Sequence, residues 1–221
     1  MDATVERYLE AAVRFVARPG RDVRLRVAST PLTCEVAVAL LNRARLPPEP
    51  PTAYRCVNVH NPDCPVAYDP HLQRWHCAER LARHPLHCIS WSGAQWICRQ
   101  LGARLPHAWE WECFASNDAP ARIYPWGDAP PGAERANYDE HYGGTTECGR
   151  FPASETGLFD LAGNVGEWCL DRYADGTPFE RVVKGGAWSK PAPYLAIRAS
   201  RGKWARLGTT TIGLRPVWDD R

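Results

Sequence analysis

The sequence predicts a fold of mixed α-helix and β-strand with an unusually large share of loop. Residues 4–17 and 92–102 carry apolar side chains at helical spacing. Residues 22–27 alternate charged and apolar side chains, which is typical of a half-buried strand. Residues 116–154 are rich in Pro, Gly, Asn and Asp and show no periodicity, so they predict a long loop that needs some other means of being held.

The N-terminal segment predicts an amphipathic helix from Thr4 to Ala17, because Pro19-Gly20 ends the helical pattern. No Pro/Gly/Ser linker divides the rest of the chain, and 221 residues are enough for one well-buried core. We therefore expect an N-terminal helix within residues 1–20 and a single domain over residues 21–221.

Three further helices follow from local signals. Thr33 is a plausible N-cap for a helix through Leu41, after which a proline-rich run imposes an extended connection. A helix is expected to begin near Ser92 and to end at Gly102, where a glycine can terminate it. Pro106 is suited to open another helix.

Composition excludes several classes of protein. The net charge of +2 gives no electrostatic reason to expect nucleic acid as a partner. Apolar runs are far shorter than the roughly 20 residues that a membrane span needs, and the N-terminus lacks the pattern of a signal peptide. The nine cysteines are odd in number, so we expect mostly reduced thiols and a cytoplasmic protein without membrane association.

The segment from Phe159 to Trp168, with the sequence FDLAGNVGEW, combines carboxylates with turn-forming residues. Asp160 and Glu167 can supply hard oxygen ligands, and the backbone carbonyls of Gly163 and Val165 can supply more. Calcium takes about six to eight oxygens of this mixed kind. The alternative is a plain Gly-Asn turn whose carboxylates face solvent.

This segment belongs to an ordered series of motifs. The series comprises His84-Pro85, CISWSGAQWIC at 88–98, GARLP at 102–106, WEWE at 109–112, YPWGD at 124–128, Ala136-Asn137, Phe151-Pro152, RVVKGGAW at 181–188 and IGLR at 212–215. Together the motifs resemble the formylglycine-generating enzyme, or sulfatase-modifying factor, superfamily, from about Val23 to Trp218.

The resemblance implies an elaborated C-type-lectin-like fold of α/β (α+β) class, in which helices and irregular segments surround a small twisted antiparallel sheet. It also implies calcium as a cofactor at two places. The implied ligands are Asp160, Gly163, Val165 and Glu167 at the first place, and Asn137 and Tyr138, completed by a segment near 142–146, at the second.

Enzymes of this superfamily oxidise a peptide cysteine with oxygen, using copper held by a cysteine pair shortly after the Gly-Gly-aromatic strand. Soft thiolates suit monovalent copper. The matching positions here are Lys190 and Leu195, and no cysteine follows Cys169. We therefore expect copper to be absent and the usual oxidation of sulfatases not to occur.

Other soft donors leave a different transition metal open. Imidazole and thiolate together suit zinc, iron or copper, although the spacing here matches no known structural zinc pattern. The cluster comprises His76, Cys77, His84, His87 and Cys88, with Cys56, His60 and Cys64 in the same irregular region.

The C-terminal third mixes aromatic residues with cations, a combination that favours an anionic or planar partner. The candidate ligand-binding residues are Trp188, Tyr194, Arg198, Arg201 and Trp204. The alternative is structural: Arg198 and Arg201 hold the carboxylates of the calcium loop or backbone carbonyls.

Three functions remain at this point, and whether the chain is an enzyme stays open. The first is a calcium-stabilised recognition module for a peptide, a protein or a small molecule, and the absence of the cysteine pair favours it. The second is an oxygen-dependent oxidative tailoring enzyme of peptide or natural-product biosynthesis. The third is a non-catalytic partner subunit that docks through the N-terminal helix.

Overall fold

The computed structural model describes residues 2–17, 24–48, 56–174 and 177–220. The described residues form small sheets and short helices joined by long irregular segments, as the sequence predicts. The helices are α1 (Ala3–Glu10), α2 (Cys34–Arg43), α3 (Trp91–Gln100) and α4 (Ala108–Ser116), with 3-10 turns at Glu79–Leu81 and Ala192–Leu195. The strands are β1 (Val13–Val16), β2 (Arg24–Val27), β3 (Val66–Asp69), β4 (Arg74–Cys77), β5 (Gly166–Arg172), β6 (Glu180–Lys184), β7 (Arg201–Trp204), β8 (Ile212–Gly213) and β9 (Val217–Asp219).

Three sheets organise these strands. The largest has the order β7-β6-β5-β8, with β5 antiparallel to β6 and parallel to β8. A second sheet has the order β1-β2-β9, and β3 pairs with β4 in a hairpin. Within the described ranges, no helix is long and apolar enough to cross a lipid bilayer.

The prediction of a helix through Ala17 is wrong beyond Glu10. Residues 13–16 form β1, which pairs antiparallel with β2 in the register Phe15 to Leu25. Val13, Phe15 and their neighbours also fit an alternating pattern, and as a strand the segment pairs with β2 and buries Phe15 in a hydrophobic cluster. The helix is also no separate unit, since Val5 and Tyr8 lie in the main hydrophobic core.

The other predicted helices are present, with small shifts at their ends. Thr33 occupies the N-cap of α2, but its side chain makes no capping hydrogen bond. Helix α3 begins at Trp91, and the hydroxyl of Ser90 rather than that of Ser92 accepts the capping bond from Gly93 N, at 3.0 Å. Helix α4 begins at Ala108, two residues after Pro106.

Strand β5 is the centre of the molecule and positions the acidic turn. Trp168 on β5 is fully buried and donates its indole N–H to the carbonyl of Ile89 at 3.0 Å. Its neighbour Glu167 points towards α4, where Trp111 is also fully buried. The turn before β5 is therefore anchored at its C-terminal end by large aromatic side chains.

The long loop between α4 and β5 is held by asparagine side chains. Asn164 accepts a hydrogen bond from Thr146 N at 3.0 Å and donates to the Thr146 carbonyl at 3.1 Å. Asn137 donates to the Gly144 carbonyl at 2.8 Å. These side-chain bonds take the place of a sheet ladder in this stretch, because they satisfy backbone groups that would otherwise be buried without partners.

Candidate functional site

The acidic turn contains two carboxylates in opposite situations, and Glu167 is the fully paired one. Its oxygens lie 2.8 Å from Nη2 and 3.0 and 3.1 Å from Nε of Arg215. Trp111 Nε1 donates to the same carboxylate at 2.7 Å, and the Glu167 and Arg215 side chains are 1% and 0% exposed. A buried cation already neutralises Glu167, so this carboxylate is satisfied in the fold without a bound metal ion.

Asp160 is the open carboxylate. Its Oδ2 accepts a hydrogen bond from Gly149 N at 2.7 Å, whereas its Oδ1 is buried without a hydrogen-bond partner. Burial raises the pKa of Asp160 to about 6, although the bond from Gly149 and the charge of Arg215 oppose that rise. A buried carboxylate with one unsatisfied oxygen fits a cation, because the cation would supply the missing partner.

The second predicted calcium place also contains one open oxygen and one oxygen that already has a partner. Asn137 Oδ1 is buried without a hydrogen-bond partner, so this oxygen fits a cation. The Tyr138 carbonyl already accepts from His141 N at 3.1 Å and lies 2.7 Å from His141 Nδ1. Asn164 lies beside both open residues, because its side chain lowers the pKa of Asp160 and its Oδ1 lies 3.5 Å from Asn137 Nδ2.

Gly163 is where the two predicted calcium segments meet. Its φ of +83° is accessible to glycine, and an added Cβ would lie 2.2 Å from the Asn137 carbonyl oxygen. Asn164 N donates to the same carbonyl at 2.7 Å. The two implied calcium segments are therefore in direct contact. Val165, which is fully buried, follows Asn164 and immediately precedes β5.

The positions that match the copper cysteines hold a hydrophobic plug and a cation. Leu195 is fully buried and packs with Ala136, Tyr138 and Ala162. Burial and the nearby charges of Arg201 and Lys203 lower the pKa of Lys190. Neither side chain supplies a soft donor, in agreement with the sequence.

Arg201 lies beside this altered position in an unusual environment. The residue is 8% exposed, and its Nη2 donates to the Gly186 carbonyl at 2.9 Å. Its Nη1 is buried without an acceptor, and no carboxylate in the described part of the chain forms an ion pair with it. Tyr194 lies beside it, with its ring centroid 5.8 Å from the guanidinium carbon.

The structure separates the other predicted ligand-binding residues. Arg198 donates to the Pro120 carbonyl at 2.8 Å, so it holds a backbone group as the structural alternative expects. Trp204 is 53% exposed and lines a groove with Trp91 and Phe179. Trp188 donates to the Thr210 carbonyl at 3.0 Å and forms part of a different cavity. Within this set, Tyr194 and Arg201 contact each other directly.

The cavity beside Trp188 has a volume of about 500 Å³ and collects several of the soft donors. His87 Nδ1 lies 3.3 Å from Cys88 Sγ, and the Cys88 thiol hydrogen-bonds Cys64. His76 lies outside it, exposed on β4. Across the described ranges, no three His, Cys, Asp or Glu side chains are placed to hold one metal ion. Residues that line the cavity include Asp63, Cys64, Arg80, His84, His87 and Trp188.

Sequence reasoning missed two pairings at this stage. The Glu167 and Arg215 pair joins motifs 48 residues apart, and nothing local to either motif indicates it. Cys64 and Cys88 lie in different irregular segments, and their contact depends on a left-handed backbone at Cys88, where φ is +57°. Such a conformation is uncommon outside glycine and has no sequence signal at a cysteine.

Solved structures show the same fold at low sequence identity. "Crystal Structure of CarF" aligns with 95% of this chain and 97% of its own, with a TM-score of 0.70 and 18% identity. "Structure of PvdO from Pseudomonas aeruginosa" aligns with 95% and 91%, with a TM-score of 0.67 and 17% identity. These matches confirm the mixed, loop-rich fold with small antiparallel sheets of the formylglycine-generating-enzyme type.

Curated relatives share more of the sequence over shorter stretches. The chain is 31% identical over 139 residues to the inactive C-alpha-formylglycine-generating enzyme 2 of Bos taurus, covering 57% of this chain and 45% of the relative. It is 35% identical over 104 residues to the formylglycine-generating enzyme of Thermomonospora curvata, covering 41% and 34%. The chain thus spans less than half the length of these relatives. Residues 54–220 match the sulfatase-modifying factor enzyme 1-like domain, and the chain belongs to that family.

Proposed function

We propose that this domain is a recognition module that binds an anionic group at a cationic face formed by Lys190, Tyr194, Arg201 and Lys203. The observation that carries the proposal is the buried Arg201 guanidinium, whose Nη1 has no acceptor and which has no carboxylate partner in the described part of the chain. A buried, unpaired charge is costly, and a bound carboxylate or phosphate would relieve that cost.

The cations of this face are close neighbours, since the charges of Arg201 and Lys203 both act on Lys190. Arg201 and Lys203 are two residues apart on β7, so they lie on the same side of the sheet. Strand β7 is the edge of its sheet, and Tyr194 is 40% exposed beside Arg201. A ligand with one acidic group and a planar or apolar part would meet both the guanidinium and the aromatic ring.

Replacing Arg201 with Gln is expected to weaken the binding of acidic probes by about tenfold or more. A hydrogen bond to a charged group contributes roughly 1.5–3 kcal/mol, and tenfold corresponds to about 1.4 kcal/mol. Gln can still donate to the Gly186 carbonyl, so the fold should be retained. The measurement is calorimetric titration with citrate and with a glutamate-rich peptide.

The matched control is Arg198→Gln, because Arg198 lies three residues away but donates to the Pro120 carbonyl. This variant should bind the probes like the unmodified protein. Equal loss of binding in both variants, or no loss in either, would contradict the assignment of Arg201.

Calcium would have a structural role in such a module. We propose that it binds at the open oxygens of Asp160 and Asn137, on either side of Asn164, and not through Glu167. Both oxygens are buried without partners, whereas Glu167 is paired with Arg215. A cation there would fasten the long loop between α4 and β5, which Asn137 and Asn164 already hold through backbone groups.

A second candidate, an oxygen-dependent tailoring enzyme, is favoured by the cavity beside Trp188. Its volume of about 500 Å³ lies within the range typical of small-molecule sites. His84, His87 and Cys64 line it and could act on a bound molecule. The third candidate, docking through the N-terminal helix, has less support, since Val5 and Tyr8 on that helix are buried in the domain's own core.

Oxygen uptake separates these candidates. With monovalent copper and a cysteine-containing peptide of the sulfatase type, we expect no uptake above the protein-free control, because Lys190 and Leu195 cannot hold the metal. A peptide in which serine replaces the cysteine controls for background oxidation. Peptide-dependent uptake that Cys64→Ser abolishes would favour the tailoring enzyme instead.

A further inference from the structure

Two thiols meet at the wall of the cavity beside Trp188. The Cys88 thiol donates a hydrogen bond to the Cys64 sulfur, so the two sulfur atoms are in contact. Cys64 is partly exposed and lines the cavity, whereas Cys88 is buried behind it. A molecule in the cavity can therefore reach Cys64, whereas Cys88 is accessible to Cys64 alone.

The backbone at Cys88 holds this arrangement in place. Its φ of +57° is a left-handed conformation that is strained for a cysteine. Cys88 N donates to the Thr209 carbonyl at 2.9 Å, and the Cys88 carbonyl accepts from Asn58 N at 2.7 Å. Gly208 packs against the same carbonyl, since a Cβ there would lie 2.2 Å from it. Strain that surrounding segments maintain is frequent at functional sites.

The surroundings of the two thiols shift their pKa values in opposite directions. The hydrogen bond from Cys88 lowers the pKa of Cys64, whereas the same contact and burial raise the pKa of Cys88. Burial lowers the pKa of His87 to about 4, so its imidazole is neutral near pH 7. His87 Nδ1 lies 3.3 Å from Cys88 Sγ, so the neutral imidazole places no positive charge beside the buried thiol.

We propose that Cys64 and Cys88 form a redox-active dithiol centre that is oxidised by a small disulfide entering the cavity beside Trp188. The inference does not depend on the cationic face, which lies at other residues. The volume of about 500 Å³ accommodates a small molecule. Arg80 lines the same cavity together with Asp63 and His84, so a disulfide that carries carboxylates would find a cation there.

The exchange proceeds in two balanced steps. The Cys64 thiolate attacks one sulfur of the external disulfide, and a mixed disulfide forms while the other external sulfur leaves as a thiolate and takes up a proton. Cys88 then attacks the Cys64 sulfur, the second external sulfur leaves, and the Cys88 proton passes to it, so that a second external thiol forms. The two cysteines lose two electrons and two protons, and the external disulfide is reduced to two thiols.

Mass spectrometry of the protein incubated with oxidised glutathione tests the proposal. In the unmodified chain we expect a disulfide that joins Cys64 to Cys88, and peptide mapping would locate it. We expect no stable glutathione adduct on that chain. Cys88→Ser should accumulate one glutathione on Cys64, because the resolving thiol is missing. Cys64→Ser should carry no adduct at Cys88, which is buried.

Cys77 is the matched control thiol. It is also partly exposed, but burial raises its pKa. Cys64 should react with iodoacetamide at least about tenfold faster than Cys77 at neutral pH, because the thiolate is the reacting form. This comparison of rates uses the unmodified chain, so it holds even if Cys88→Ser does not fold. Equal rates at the two thiols, or a disulfide that joins other cysteines, would overturn the proposal.

Discussion

Replacing Glu167 with Ala is expected to lower the free energy of unfolding by about 3–5 kcal/mol, with or without calcium. The substitution removes the ion-pair partner of the buried Arg215 guanidinium and the acceptor of the Trp111 indole N–H. Arg215 would keep its bonds to the Ala28 and Phe159 carbonyls, at 2.8 and 2.6 Å, but these do not neutralise its charge.

Chemical unfolding in urea, with calcium and with chelator, measures this effect. Glu147→Ala is the control, since Glu147 and Arg83 form an exposed pair at 3.6 Å that should contribute no more than about 1 kcal/mol. Glu167→Gln should retain the Trp111 bond and still be strongly destabilised through the lost charge. If the loss in Glu167→Ala appeared only in the presence of calcium, Glu167 would be a metal ligand and not the partner of Arg215.

Replacing Asp160 with Asn is expected to stabilise the calcium-free protein above pH 6 by up to about 3 kcal/mol. Burial raises the pKa of Asp160 from 3.8 to about 6 in the folded state, so the folded chain binds the proton more tightly than the unfolded chain. Stability therefore falls as the pH rises from 3.8 through 6, and the full cost of about 3 kcal/mol is present above pH 6. Asn carries no charge and avoids that cost.

Thermal unfolding in chelator at pH 5 and pH 8 checks the sign, because the advantage of the Asn variant should be larger at pH 8. Added calcium should stabilise the unmodified protein and have little effect on Asp160→Asn. Asp139→Asn is the control, since Asp139 shares a left-handed backbone, with φ of 50° against 52°, but is exposed. A variant that is less stable than the unmodified protein in chelator at pH 8 would contradict the assignment of Asp160 as an uncompensated acid.

Local sequence signals predicted those elements whose stability is mostly local. Helix α3 appears where a capping serine and a terminal glycine bracket an apolar stripe, with the cap at Ser90. The N-terminal segment failed beyond Glu10 because apolar residues there fit both a helix and a strand. Pairing with β2 decided between the helix and the strand. The periodicity of a segment carries no information about which other strand it pairs with.

The sequence predicted which residues belong to the candidate site, but not which of their side chains pair with one another. Asp160 and Glu167 look equivalent as acids in one short segment, yet Arg215 forms its ion pair with Glu167. The loss of the copper cysteines could be read directly, because it depends only on residue identity at positions 190 and 195. The dithiol at Cys64 and Cys88 could not, because it needs two loops to meet in space.

The Leu195 plug has a consequence for protein engineering. Its side chain packs closely enough on Gly186 that a Cβ added there would lie 2.7 Å from a Leu195 methyl carbon. Grafting cysteines at 190 and 195 would therefore exchange a fitted aliphatic wedge for a smaller thiol and open a gap beneath the strand end. Any attempt to install a copper site there would have to rebuild that floor as well as supply the sulfur pair, and would do so under the positive potential of Arg201 and Lys203.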